Sequence, residues 1–145
     1  MSLTKAELQR LVESRAGQRC EYCRMHQSLQ GASFHIEHID PVSLGGSNDL
    51  DNLAWACPRC NLKKSNRITV SDPTTGMVVR LLHPRRDRWE EHLAWEGYSV
   101  VGLTPTGRAL IAAFDLNHER RCRIRQAEEV FGLFPPSESE KSNEP

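Results

Sequence analysis

Apolar and polar positions change their period several times along the chain, and each change predicts an element. Leu8, Leu11 and Val12 recur at helical spacing behind Thr4-Lys5-Ala6-Glu7, a Thr-x-x-Glu capping box, and Gly17 is a natural stop. A helix over about 4–16 follows, with its apolar stripe turned to a core. Phe34-His35-Ile36-Glu37-His38-Ile39 is short and compatible with a strand. Asp40-Pro41 ends it, and Gly45-Gly46 with Ser47-Asn48-Asp49 makes a flexible loop. Leu53-Ala54-Trp55-Ala56 can return as a second strand. Pro58 then stands at a helix start, with Asn61, Lys63 and Lys64 on the opening turns. The order is strand, loop, strand, helix.

Beyond this unit the pattern is looser. Ser71-Asp72-Pro73-Thr74-Thr75-Gly76 reads as a turn, and Met77–Leu82 as a strand after it. Glu96-Gly97 separates an extended segment ending at Trp95 from a strand over 98–101, although Trp89, His92 and Leu93 also fit a helical turn. Thr104-Pro105, a cap followed by proline, opens a helix through about Leu116. The basic run His118–Arg125 reads as a solvated helix face rather than a DNA contact. After Phe134-Pro135-Pro136 the polar tail is too poor in apolar residues to fold. The expected class is α+β: a unit over 1–70, a strand-and-helix extension over 71–126 packed on it, and a flexible tail over 127–145.

Composition narrows the classes. The chain of 145 residues is 38% apolar and 26% charged, ordinary for one soluble domain with an appendage. No apolar run is long enough to span a bilayer and the N-terminus has no signal-peptide core, so a cytoplasmic protein without a membrane partner is expected. The formal net charge of zero is weak support for a nucleic-acid binder, but the charge is polarised. From Arg59 to Trp89, Arg59, Lys63, Lys64, Arg67, Arg80, Arg85, Arg86 and Arg88 face only Asp72 and Asp87, a net of +6. Arg15, Arg19 and Arg24 are balanced between solvated charges and phosphate contacts.

Four of the five cysteines form two pairs, Cys20-x-x-Cys23 and Cys57-x-x-Cys60, with Cys122 alone. Such knuckles in a cytosolic chain read as one tetrahedral zinc site, and the gap between them is filled by the first strand and its loop. Disulfides are disfavoured in that compartment, and neither pair lies in the βαβ context of a thioredoxin-like motif. Four thiolates complete the zinc shell, leaving His26 as a surface residue.

Glu37-His38-Ile39-Asp40-Pro41, Gly45-Gly46, Asp51-Asn52-Leu53, Cys57-Pro58-Arg59-Cys60-Asn61 and Lys63-Lys64, in that order and spacing, closely resemble the HNH endonuclease motif, a ββα-metal unit. The resemblance implies His38 as general base, Glu37 as the metal-binding acid and Asn52 as the loop brace. Asn61 stands where the last motif histidine would be, and Glu37 replaces the commoner aspartate. Both keep an oxygen donor, which suits magnesium or manganese. The phrases His-Pro-Arg-x-Asp-x-Trp-x-x-His-x-x-Trp from His83 and Gly-Leu-Thr-Pro-Thr-Gly-Arg-Ala from Gly102 resemble a bacterial subset of these nucleases, without assigning a reaction.

The activity so implied is hydrolysis of DNA, double-stranded by expectation, to a 5′-phosphate and a 3′-hydroxyl. Cys20, Cys23, Cys57 and Cys60 would hold structural zinc, while Glu37 and Asn61 would hold the catalytic ion. Lys63, Lys64, Arg67, Arg85 and Arg86 are the candidate phosphate contacts. His35, an odd number of positions from His38, points to the opposite strand face. A non-catalytic zinc module binding nucleic acid is the alternative. A protein-interaction scaffold comes third, and it leaves the acid–histidine pair without a purpose.

Overall fold

The computed structural model describes residues 2–137 of the chain, and among these the strands pair only as two-stranded antiparallel hairpins. Helix α1 spans Lys5–Arg15. Thr4 caps it reciprocally with Glu7: the Glu7 backbone N–H donates to the Thr4 hydroxyl at 3.1 Å, and the Thr4 N–H donates to Glu7 Oε1 at 2.8 Å. Strands β1 (His35–His38) and β2 (Leu53–Ala56) pair with His38 opposite Leu53 and Glu37 opposite Ala54. Helix α2, Pro58–Lys64, follows at once, with Cys57 as its N-cap and Pro58 in its first turn. These three elements make a ββα unit, and the fold is α+β.

The extension is built from two further hairpins and three helices. Strand β3 (Thr69–Ser71), which the sequence pattern did not predict, pairs with β4 (Val78–Arg80) across the turn closed at Gly76, where φ is +76°. The single helical turn α3 (Trp89–His92) runs directly into β5 (Leu93–Glu96), so both readings of that stretch hold. Strand β6 (Ser99–Gly102) completes the hairpin. Helix α4 spans Pro105–Phe114 and α5 spans Glu119–Val130. Asp72, fully buried, receives two hydrogen bonds from the Arg108 guanidinium of α4, at 3.0 and 2.9 Å, which tie the β3–β4 turn to that helix. The same pairing holds the Asp72 carboxyl well below its ordinary range.

One apolar core joins the two parts. Val12 of α1, Tyr22 of the first cysteine knuckle, Leu53 and Trp55 of β2, and Leu110 and Phe114 of α4 are all buried in it. The Tyr22 and Phe114 rings meet edge to face at 5.4 Å, and the Trp89 indole N–H donates to the Tyr22 carbonyl at 2.9 Å.

Several charged groups lie where the sequence reading did not put them. Arg15, Arg19 and Arg24 are neither solvated nor free for phosphate. Arg15 donates to the carbonyls of Leu50 and Leu53, Arg19 to those of Arg24 and Leu133, and Arg24 pairs with Glu90 at 3.3 Å over the Trp89 ring. The basic run on α5 is not a solvated face throughout, because Arg121 and Arg125 are buried. Arg125 donates to the carbonyls of Tyr98 and Leu116 and covers the Trp95 ring, so its long side chain works as a core bracket. The first residues of the flexible tail expected over 127–145 are ordered. Residues 127–130 complete α5, and Phe134 packs on Trp95 and Tyr98 with ring centroids at 5.0 and 5.7 Å. Residues 138–145 of that tail lie outside the described residues.

Candidate metal centre and nuclease site

Each cysteine pair is presented by a turn that the local sequence enforces. In the first knuckle the Arg24 N–H donates to the Cys20 carbonyl at 2.8 Å, and Arg24 takes a φ of +66° to close it. Glu21 straps the knuckle to β2, its carboxylate accepting from the Trp55 N–H at 2.8 Å while its own N–H donates to the Trp55 carbonyl at 2.9 Å. In the second knuckle the Cys60 N–H donates to Cys57 Sγ at 3.3 Å.

All four sulfurs are buried and lie within 4.8 Å of one another, with Cys23 and Cys57 at 3.9 Å. Zinc–sulfur bonds of about 2.3 Å in a tetrahedron place sulfurs about 3.8 Å apart, so the cluster fits a zinc ion. Burial pushes the Cys20 and Cys60 thiols up, so a divalent ion must displace their protons as it binds. Arg121 of α5 stands beside the cluster, donating to Cys60 Sγ at 3.5 Å and to the Phe114 carbonyl at 3.3 Å. Burial opposes its charge, but the neighbouring sulfurs of Cys23, Cys60 and Cys57 outweigh that and raise its pKa. No local pattern signals this partner, since α5 reaches the cluster only through tertiary packing.

The second group of polar residues gathers where β1 ends. Asn52 is buried, accepting from the Asp40 N–H at 2.8 Å and donating to the Asp40 and Ser47 carbonyls at 3.0 and 2.7 Å. One side chain thus closes both ends of the loop. The loop's tightness also depends on glycine: a Cβ on Gly46 would lie 1.7 Å from the Asp40 carbonyl oxygen, and Gly45 has φ +87°. His38 is half-buried at the strand end, and its Nε2 lies 2.8 Å from Asn48 Oδ1. An amide oxygen only accepts, so Nε2 carries the proton and Nδ1 is the basic nitrogen. Asn48 is a site residue the sequence reading passed over. The loop was legible, but which of its polar residues reaches His38 was not.

Glu37 points to the other face of β1 and is 5% exposed. Its Oε1 accepts from the Tyr22 hydroxyl at 2.7 Å, and Lys64 Nζ stands 3.2 Å from Oε2 and 3.2 Å from the His38 carbonyl. Burial raises the Glu37 pKa, against the opposing pull of Tyr22 and Lys64. Oε2 is buried without a hydrogen bond of good geometry, and Asn61 lies three residues before Lys64 on α2. A buried anionic oxygen with this unused capacity fits a hard cation, and the Lys64 ammonium is its resident competitor.

Two candidate phosphate contacts are corrected by this arrangement. Lys64 is 1% exposed and committed to Glu37, because its stem runs inward from α2. Arg85 is turned inward to Glu21 and lowered to about 10 by burial. Its neighbours form a turn in which His83 Nδ1 accepts from the N–H groups of Arg85 and Arg86, and Asp87 accepts from His83 N–H. Lys63, Arg67 and Arg86 are exposed. Arg86 lines a groove of about 440 Å³ beside the loop, together with Asp40 and Arg80, which pair with each other. A larger groove, about 730 Å³, is lined by Arg10, Glu13 and the exposed His35, and His38 has no part in it.

Residues 20–67 match the family model described as HNH endonuclease, a span that takes in both cysteine pairs, the Asn52-braced loop and α2. No curated protein and no solved structure matches the chain. Among the described residues no helix is long and apolar enough to cross a membrane.

Proposed function

From an HNH endonuclease domain over residues 20–67 we propose that the chain is a metal-dependent endonuclease hydrolysing phosphodiester bonds of double-stranded DNA. The observation that carries the reading is the His38–Asn48 contact at 2.8 Å, at the mouth of a loop that buried Asn52 closes. Asn48 holds the imidazole in one tautomer, so Nδ1 can take the proton from an attacking water. Asn52 fixes the strand end from which His38 projects, a positioning task. Glu37 and Asn61 would hold magnesium or manganese, which supplies charge relief on the phosphate and the leaving oxygen. Zinc on the four cysteines has no open position and serves the fold. Lys63, Arg67 and Arg86 would contact flanking phosphates, and the products would be a 5′-phosphate and a 3′-hydroxyl.

A second reading, a zinc-stabilised module that binds nucleic acid without cutting it, is favoured by one observation. Lys64 already neutralises Glu37, leaving the acid less need of a metal ion. Magnesium-dependent nicking of supercoiled plasmid separates the two. The nuclease reading expects His38→Ala to lower the rate by about 10²–10⁴-fold with DNA affinity retained. Cleavage by purified His38→Ala protein at the wild-type rate rules out this mechanism.

A further inference from the structure

A cavity of about 200 Å³ opens beside the zinc cluster, away from His38 and its loop, between the start of α2 and the start of α5. Gln30, Arg59, Arg120 and Arg121 supply its polar lining, and Met25 and Ile124 part of its apolar wall. Three of these residues carry a buried nitrogen donor without a hydrogen-bond partner: Gln30 Nε2, Arg59 Nε and Arg121 Nε. All three are N–H groups, so together they call for an acceptor and offer nothing to a donor. An unmet buried donor is costly, more so where the group is charged.

The charge agrees with the hydrogen-bond count. Arg121 is engaged with Cys60, which leaves Arg59 and Arg120 to supply the positive charge. Arg59 pairs with Asp115 at 3.6 Å, but both side chains are well exposed, which makes this a weak pair. Guanidinium forks of this kind bind phosphate oxygens in pairs. The cavity also continues a line of cations. Lys63 lies four residues after Arg59 on α2, about 6 Å along the helix axis, and Arg67 donates back to the Lys63 carbonyl just beyond. That advance is on the scale of one to two phosphate steps of a DNA strand.

We propose that this cavity is an anion seat that takes a phosphodiester group of the bound nucleic acid, remote from the bond being cut. The assignment rests on the nucleic-acid reading above but not on cleavage. The seat anchors the flanking strand against the zinc-ordered face, and the Arg59–Lys63–Arg67 line guides that strand toward α2.

The test uses the zinc-loaded full chain in two arms. In the first, the side-chain Nε–H resonances of Arg59 and Arg121 are followed by nitrogen-15 NMR during titration with inorganic phosphate and with a short duplex, no divalent ion being added. Both titrations should move the Arg59 resonance saturably. In the second, duplex affinity is measured against salt for wild type, Arg120→Gln and Arg59→Gln/Arg120→Gln. The double variant should bind about tenfold more weakly, and its salt slope should flatten by about 0.9, one phosphate lost. Arg120→Gln, on an exposed helix turn, should show part of the same loss with zinc content unchanged. Resonances that respond to inorganic phosphate alone would overturn the proposal in favour of an adventitious ion only. An unchanged affinity and slope in both variants would also overturn it. A wild-type chain that binds duplex through Arg59 yet never cuts DNA would remove the nuclease reading and leave the seat standing. Normal cutting with an unaltered slope would do the reverse.

Discussion

Lys64→Met tests how the fold holds its buried acid. The substitution keeps the length of the stem and deletes the ammonium that stands 3.2 Å from Glu37 Oε2 and from the His38 carbonyl. Both partners are almost fully buried, so solvent screens the pair little and cannot replace the lost charge. Removing one member of such a pair costs about 3–5 kcal/mol, a large share of a domain's stability of about 5–15 kcal/mol. The pH dependence identifies the cause. Burial already raises the folded-state pKa of Glu37 above its ordinary 4.5, and losing Lys64 raises it further. A carboxyl whose pKa is higher folded than unfolded favours the fold below the unfolded value, and that contribution disappears as pH rises through the folded value. The variant should therefore be weakest at neutral pH and approach wild type near pH 4. A residue of about 1 kcal/mol should remain there from the lost bond to the His38 carbonyl. Urea unfolding at several pH values measures this, and Glu37→Gln/Lys64→Met should recover much of the loss. The salt slope of DNA binding should stay at the wild-type value, since Lys64 never reaches the surface. A pH-independent loss below about 1 kcal/mol would refute the reasoning, because a buried pair of this geometry cannot be so cheaply broken.

Cys57→Ser should release zinc and unfold the region around both knuckles, since structural zinc contributes about 10–16 kcal/mol in small peptides; metal analysis and circular dichroism report it, and a folded, zinc-free variant would exclude the site. Asn52→Ala opens three hydrogen bonds at the loop ends and should cost about 1–3 kcal/mol, seen as a lower thermal midpoint together with slower plasmid nicking. Glu128 is pushed up to about 7, first by burial, so its stabilising contribution is complete below the ordinary 4.5 and fades as pH rises through about 7. Glu128→Gln should flatten the decline in stability between pH 5 and 8; an unchanged profile would place the titration elsewhere.

What was legible in the sequence was local. The Thr4–Glu7 box, the prolines at 58 and 105 and the cysteine spacing each act within a few residues, and each element appears where they put it. What was not legible was the direction of long charged side chains. Lys64, Arg85, Arg121 and Arg125 sit in runs of cations that read as exposed, yet their inward course depends on partners far away in sequence: Glu37, Glu21, Cys60 and Tyr98. The docking of Phe134 has the same origin. Phe134 is one apolar residue among polar ones, and only the Trp95–Tyr98 surface gives it a place to dock. His38 and its loop were readable as a unit, but Asn48 is picked out from its neighbours only by the path of the folded loop.

Tyr22 lies between two zinc cysteines, and it is bonded at one end to Glu37 and at the other to Trp89 of the extension. A metal ion held by the first knuckle would thereby set the position of the proposed catalytic acid and of the segment that follows the ββα unit. Maturation of the chain is then subject to a single gate. If zinc is the ion held by the four sulfurs, a newly made copy short of it should lack an ordered Tyr22, and with it a seated Glu37 and a docked Trp89. Under the proposed nuclease reading, dependence on that ion would be a safeguard that acts before any inhibitor is needed.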